Sequence, residues 1–218
     1  MAGRLIVFEG TDGSGKSTQF ALARRALEAA GRDFRTFVYP QYQEESSALL
    51  RMYLSGQFGT HPSDVNAYAA STFFAVDRYA GYKRFWGAYY ERGGLMVLDR
   101  YTTSNAVHQS SKLTPPEREK FFRWLADFEY GILGLPAPDL VLWLDMPTSL
   151  AVANLRHREQ ETHTTGDIHE VDEAYLTACR QAAAQAADFF GWQRVPCTDG
   201  EGALRPPEDI HREILSYI

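Results

Sequence analysis

The chain has 218 residues, 44% of them hydrophobic, and a formal net charge of −6. That length suits one sizeable α/β domain and leaves two cramped, and the apolar fraction excludes global disorder. The acidic balance argues against a protein built to coat nucleic acid. Cys179 and Cys197 make neither a disulfide framework nor a metal spacing, and fit reduced core thiols in a cytoplasmic protein. The opening MAGRLIVFEG has too few apolar residues before Glu9 for a signal-peptide core, and the longest later apolar run, LVLWL at 140–144, is strand-sized. No membrane or nucleic-acid partner is expected.

In chain order, RLIVFEG (4–10) reads as a buried strand. Residues 17–30 place Phe20, Leu22, Ala23, Ala26, Leu27 and Ala30 at helical spacing, with Gly31 as the stop. FRTFVYP (34–40) is a second strand closed by proline; a helix at 46–55 and a long one over 64–92 follow. LMVLD (95–99) and LVLWLD (140–145) are two more strands, each ending in aspartate. Helices are expected over 115–130, 147–159 and 171–190, a last strand in WQRVPC, and a closing helix opened by Pro206 and Pro207. Alternating strands and helices predict an α/β fold whose parallel sheet is covered on both faces. No internal repeat or low-complexity linker divides the chain, so one domain over 1–218 is expected.

Between the first strand and the first helix lies FEGTDGSGKST (8–18), and Gly10-x-x-x-x-Gly15-Lys16-Ser17 fits a phosphate-binding loop. Glycine costs backbone entropy, but here it lets successive N–H groups turn inward onto phosphate oxygens beside a helix N-terminus. The loop from Gly10 through Thr11, Asp12, Gly13, Ser14, Gly15, Lys16 and Ser17 to Thr18 is thus expected to bind ATP. Lys16 would neutralise the β/γ-phosphates, and the Ser17 hydroxyl would ligate Mg²⁺. A glycine turn with an incidental lysine is the plain alternative; the strand–loop–helix context argues against it. Parallel strands end at one sheet edge, so Asp99 should arrive beside this loop to hold the metal or its water. Asp145 competes for that role, but only Asp99 is followed by an arginine, Arg100, a forked donor for phosphate.

The long helix carries STFFAVDRYAGY, where Phe74 and Arg78 share a face four residues apart. A ring to stack a base and a guanidinium to meet its carbonyls would read a pyrimidine. Aromatics crowd this helix, however, and most such rings serve core or interface packing, which on spacing alone is the stronger reading of the pair.

The stretches FEGTDGSGKSTQ, FFAVDRYAGY, VLDRYTTSNAVH and LVLWLDMPTSLAVANLRHRE together resemble the thymidylate kinases, over essentially the whole chain. The resemblance implies a P-loop NTPase fold with a five-stranded parallel sheet, a mobile lid over ATP, and a homodimer. It also implies that Phe74 stacks on thymine and Arg78 bonds it. Arg100 would hold the acceptor phosphate and Asp12 would approach the sugar 3′-hydroxyl. Asn105 would run along the base edge, with Ser104 beside it.

Arg156 and Arg158 enter a Thr- and His-rich stretch, and a lid of about 156–170 is expected there. Some thymidylate kinases carry a catalytic arginine in the P-loop where this chain has Gly13, so a lid arginine is expected to stabilise the transferring phosphoryl group; a solvated helix end is the alternative. The nearby histidines show no metal-ligand spacing. Two positions depart from the family pattern. Tyr42 stands where an arginine usually grips the acceptor phosphate, with Arg51 as a possible substitute. His108 stands where many relatives have tyrosine or phenylalanine near the deoxyribose. The expected reaction is ATP- and Mg²⁺-dependent phosphorylation of dTMP to dTDP. The alternatives are a kinase of another nucleoside monophosphate and a non-catalytic nucleotide-binding regulator.

Overall fold

The computed structural model describes residues 2–162 and 173–218, and the backbone alone for Pro62 and residues 158–162. Five strands, β1 (Arg4–Glu9), β2 (Phe34–Val38), β3 (Leu95–Asp99), β4 (Leu140–Asp145) and β5 (Gln193–Pro196), pair in parallel in the order β2-β3-β1-β4-β5. The helices are α1 (Lys16–Ala29), α2 (Ala48–Leu54), α3 (Ala67–Gly81), α4 (Gly87–Glu91), α5 (Thr102–Ser104), α6 (Pro115–Ala126), α7 (Thr148–Thr162), α8 (Glu173–Phe190) and α9 (Pro207–Leu215).

Side-chain alternation along β1 divides the core into two layers. Ile6 and Phe8 pack with Ala23, Leu27, Ile210 and Ile214 of α1 and α9. Leu5 and Val7 face the opposite way, toward Met96, Leu98, Trp86 and Tyr101. With both faces covered, β1 and β3 are buried along almost their whole length, which explains their unbroken apolar runs.

The stretch expected as one helix over 64–92 starts at Ala67, after Asn66 caps it by accepting from the Ala69 N–H at 2.9 Å. It then widens into a π turn over Tyr82–Trp86 before α4. Gly87 is required at that junction, because a Cβ would meet the Tyr82 carbonyl oxygen at 2.6 Å. α6 opens with a reciprocal cap, in which the Glu117 carboxylate accepts from the Thr114 N–H at 2.9 Å. It too passes into a π turn, Asp127–Ile132, which turns Glu129 fully inward. α5 continues through a π turn, Asn105–Gln109, and a 3₁₀ turn, Ser110–Lys112. Among the described residues no helix is long and apolar enough to cross a membrane.

Candidate active site

The carboxyl ends of β1, β3 and β4 open onto two cavities, as expected for ligand sites in an open parallel sheet. The first, about 430 Å³, is lined by residues 11–19 of the loop after β1 and by Leu204, Pro207 and Ile210 across from it. Gly13 and Gly15 take left-handed φ values of 79° and 80°, which let the chain curl into a nest. α1 starts at Lys16 with no side-chain cap, so its first N–H groups stay available to an anion. Ser17 and Thr18 are exposed at this end.

Lys16 is buried and pairs with Asp99. Burial and the Arg100 charge pull its pKa down, against the Asp99 and Glu9 carboxylates that hold it charged. Asp145 is occupied elsewhere: its carboxylate accepts from Arg180 Nε at 2.7 Å and Arg194 Nε at 2.7 Å. Of the two strand-ending aspartates, Asp99 is therefore the one standing at the loop. Among the described residues no group of three or more His, Cys, Asp or Glu could cage a metal. A Mg²⁺ bound mainly by nucleotide phosphates needs no such cage. The Ser17 hydroxyl and the Asp99 carboxylate are hard oxygen donors of the right kind for it.

Gly13 faces α7. A Cβ there would collide with the Ala151 carbonyl oxygen, and the Asn154 side chain donates to the Gly13 carbonyl at 2.8 Å. This position has no room for an arginine while α7 stays docked.

The second cavity, about 280 Å³, shares Asp12 with the first. One of its linings is Arg100, whose backbone is left-handed at φ 65°, a strained conformation for a non-glycine residue. Register explains the aim: Asp99 pairs with Phe8 and Val38, and Arg100 N–H then donates to the Phe8 carbonyl at 3.1 Å before the chain turns. The guanidinium donates to Asp12 at 2.6 Å and to His108 Nε2 at 2.9 Å. Burial lowers the Arg100 pKa, but the Asp12, Glu9 and Asp99 carboxylates outweigh it and raise the value overall. Since arginine only donates, His108 Nε2 accepts, and the ring proton sits on Nδ1, which faces the Tyr175 hydroxyl at 3.1 Å.

At the far end Arg78 is almost wholly buried and holds Glu129 with Nε and Nη2, 2.6 Å each. Its Nη1 lies 3.4 Å from the Tyr101 carbonyl. Asn105 Nδ2 also donates to Glu129, at 3.1 Å. Phe74 lines this end, and Gln109, also buried, keeps an Oε1 that accepts no hydrogen bond.

The cavities thus gather Lys16, Ser17, Asp12, Arg100, Phe74, Arg78, Ser104, Asn105, His108 and Tyr42, with Asp99 paired to Lys16 behind the loop. Tyr42 is half exposed on the rim. Arg51 does not line either cavity; it donates to the Tyr42 and Glu44 carbonyls at 2.8 and 2.9 Å, holding the loop rather than facing the space. Arg156 is exposed, beside Leu155 and His157 of the first cavity. The Arg158 side chain and 163–170 of the expected lid lie outside the described residues.

Sequence reasoning missed Glu9, Glu129 and Gln109. Glu9 is fully buried and accepts from Gly10 N–H at 2.9 Å, Thr103 at 2.6 Å and Ser104 at 2.8 Å, so it fixes the loop to the segment after β3. A carboxylate ending an otherwise apolar strand was a readable signal. Glu129 and Gln109 had none, since their partners come from other elements.

A family model described as Thymidylate kinase matches residues 8–201. A thymidylate kinase of Mycobacterium tuberculosis is 35% identical over 158 residues, covering 72% of each chain. One of Akkermansia muciniphila is 31% identical, covering 84% of this chain and 78% of its own. A probable thymidylate kinase of Pyrococcus abyssi is 25% identical over 100% of this chain and 97% of its own.

Proposed function

The chain belongs to the thymidylate kinase family, and we propose that it transfers the γ-phosphoryl group of ATP to dTMP across the junction of the two cavities. The observation that carries this reading is Asp12, which borders both spaces and bonds Arg100. The phosphate loop takes ATP in the larger cavity and Arg100 holds the monophosphate in the smaller one. An acceptor phosphate oxygen then bonds to the γ-phosphorus as the bond to the β-bridging oxygen breaks, leaving ADP and dTDP. No covalent step on the protein is needed; alignment and charge neutralisation suffice. Mg²⁺, held by Ser17 and Asp99 together with the phosphates, would supply charge neutralisation. Lys16 adds a fixed cation to the same charge, and Arg156 or Arg158 of the lid is the candidate for stabilising the transferring group.

The base end supports thymine. Thymine offers an O4 acceptor next to an N3–H donor, whereas cytosine reverses that order. Arg78 commits Nε and Nη2 to Glu129 and one Nη1 hydrogen to the Tyr101 carbonyl, which leaves the second Nη1 hydrogen for O4, and Gln109 Oε1 lacks the donor that N3–H would bring. Phe74 supplies the stacking face. A coupled ADP-release assay with Mg²⁺ and ATP should rank dTMP first, dUMP next and dCMP far below. Preference for dCMP or a purine monophosphate would move the activity to another substrate, and no turnover with any would favour the non-catalytic regulator. The outward residues Leu49, Val76 and Tyr79 of α2 and α3, each 40% or more exposed, support a homodimer through this face. The buried, free Cys179 and Cys197 support a cytoplasmic setting.

A further inference from the structure

Lys112 ends the helical segment that carries Asn105, His108 and Gln109, and it lines neither of the two cavities. Its ammonium donates to the Tyr53 hydroxyl at 2.9 Å and to the Val65 carbonyl at 3.0 Å. Burial pulls its pKa from 10.5 down to about 8, and no carboxylate among the described residues opposes that shift. A partly buried charge without a counter-ion is costly, so the place where its two hydrogen bonds lead is informative.

Both lead to Phe74. The Tyr53 ring meets Phe74 edge-on, with centroids 6.2 Å apart and planes at 86°. It also leans on Phe73 at 6.2 Å. Val65 immediately precedes Asn66, the residue that caps α3, and α3 carries Phe74 and then Arg78. Gln109 is linked to the same Tyr53 hydroxyl. One ammonium therefore ties the ring that backs Phe74, the start of the helix that bears it, and the segment that supplies Gln109.

We propose that Lys112 is a positioning residue for the base subsite: by fixing Tyr53 and the entry to α3, it sets where the Phe74 ring stands in the cavity. This rests on the reading of that cavity as the monophosphate site. Lys112 itself touches no substrate. Its effect passes through Phe74, and a small displacement of a stacking face weakens the contact it makes.

Lys112→Met keeps the apolar stem and removes the charge. In calorimetric titrations it should raise the dTMP Kd about five- to tenfold, the scale of one ordinary hydrogen bond. The ATP Kd should stay within about twofold, as expected for a site with no shared partner. Lys112→Arg should recover part of the loss. In a Phe74→Ala background Lys112→Met should have almost no further effect, because the ring it positions is gone. If Lys112→Met leaves dTMP binding unchanged, or its effect adds in full to that of Phe74→Ala, the proposal is overturned while the base-subsite reading stands. If Phe74→Ala itself leaves dTMP binding untouched, the reading of the cavity fails and the proposal with it. Should Lys112→Met not fold, Lys112→Gln removes the charge at a residue that lines neither cavity and runs through the same cycle, with the same expectation and the same overturning result.

Discussion

The larger cavity is lined by the loop of residues 11–18, whose glycines curl the backbone into a nest, with Lys16 as the one buried cation of that loop. Around the smaller cavity stand side chains already bonded to one another: Arg78 to Glu129, Arg100 to Asp12 and His108, Asn105 to Glu129. The first design tolerates almost any neighbour, since the peptide does the binding. The second links recognition to stability, because Arg78 and Asn105, which would meet a substrate, also satisfy the buried Glu129. Side-chain deletions should therefore reduce stability around the smaller cavity and activity around the larger one.

Arg78→Met is the strongest way to test that contrast. It leaves Glu129, fully buried, without its bidentate partner, and breaking such a pair costs about 3–5 kcal/mol. Urea denaturation should show that loss, and Arg78→Met combined with Glu129→Leu should recover most of it. A double variant no more stable than the single one would mean the pair is not a closed, desolvated unit.

Lys16→Ala is the opposite case. It should lower turnover by about a thousandfold, with a much smaller loss of stability than Arg78→Met, because Asp99 then faces an open cavity where water can solvate it. Near-normal turnover of a folded Lys16→Ala would remove the phosphoryl-transfer mechanism. A stability loss as large as that of Arg78→Met would remove the contrast instead.

The same contrast explains what was legible in the sequence. The larger cavity is local: its glycines, Lys16 and Ser17 lie within a few residues, and the strand–loop–helix context was visible in hydrophobic periodicity. Asp99 could be placed because parallel strands end at a common edge. The smaller cavity is assembled from distant segments. Arg78 and Glu129 are 51 positions apart, and no periodicity links them. The helical segment after β3 was not foreseen, since Thr102, Thr103, Ser104 and Asn105 are weak helix formers; buried bonds from Thr103 and Ser104 to Glu9 hold its start. Proline closed the second strand early: pairing stops at Val38, and the Tyr39–Pro40 peptide is cis.

Tyr42 tests the smallest effect, at the half-exposed rim of the acceptor cavity. There it lines the same cavity as Arg100. A phenol there gives a phosphate at most one neutral hydrogen bond, about half as strong as a charged one, where an arginine would give a charged fork. Tyr42→Arg should lower the dTMP KM by up to about tenfold, equal to about 1.4 kcal/mol. The gain should shrink as salt is raised, because the new charge is solvent-facing. It should come with little loss of stability, since Tyr42 is half exposed where Arg78 is buried against Glu129. Arg51→Ala should act differently: its guanidinium holds the carbonyls of Tyr42 and Glu44, so its loss loosens the loop and should raise KM only slightly, about two- to threefold, as for one exposed hydrogen bond. If Tyr42→Arg leaves KM unchanged at low salt while the fold is intact, the acceptor phosphate is carried by Arg100 without help from this loop. In that case the rim belongs with the scaffold rather than with the recognition surface.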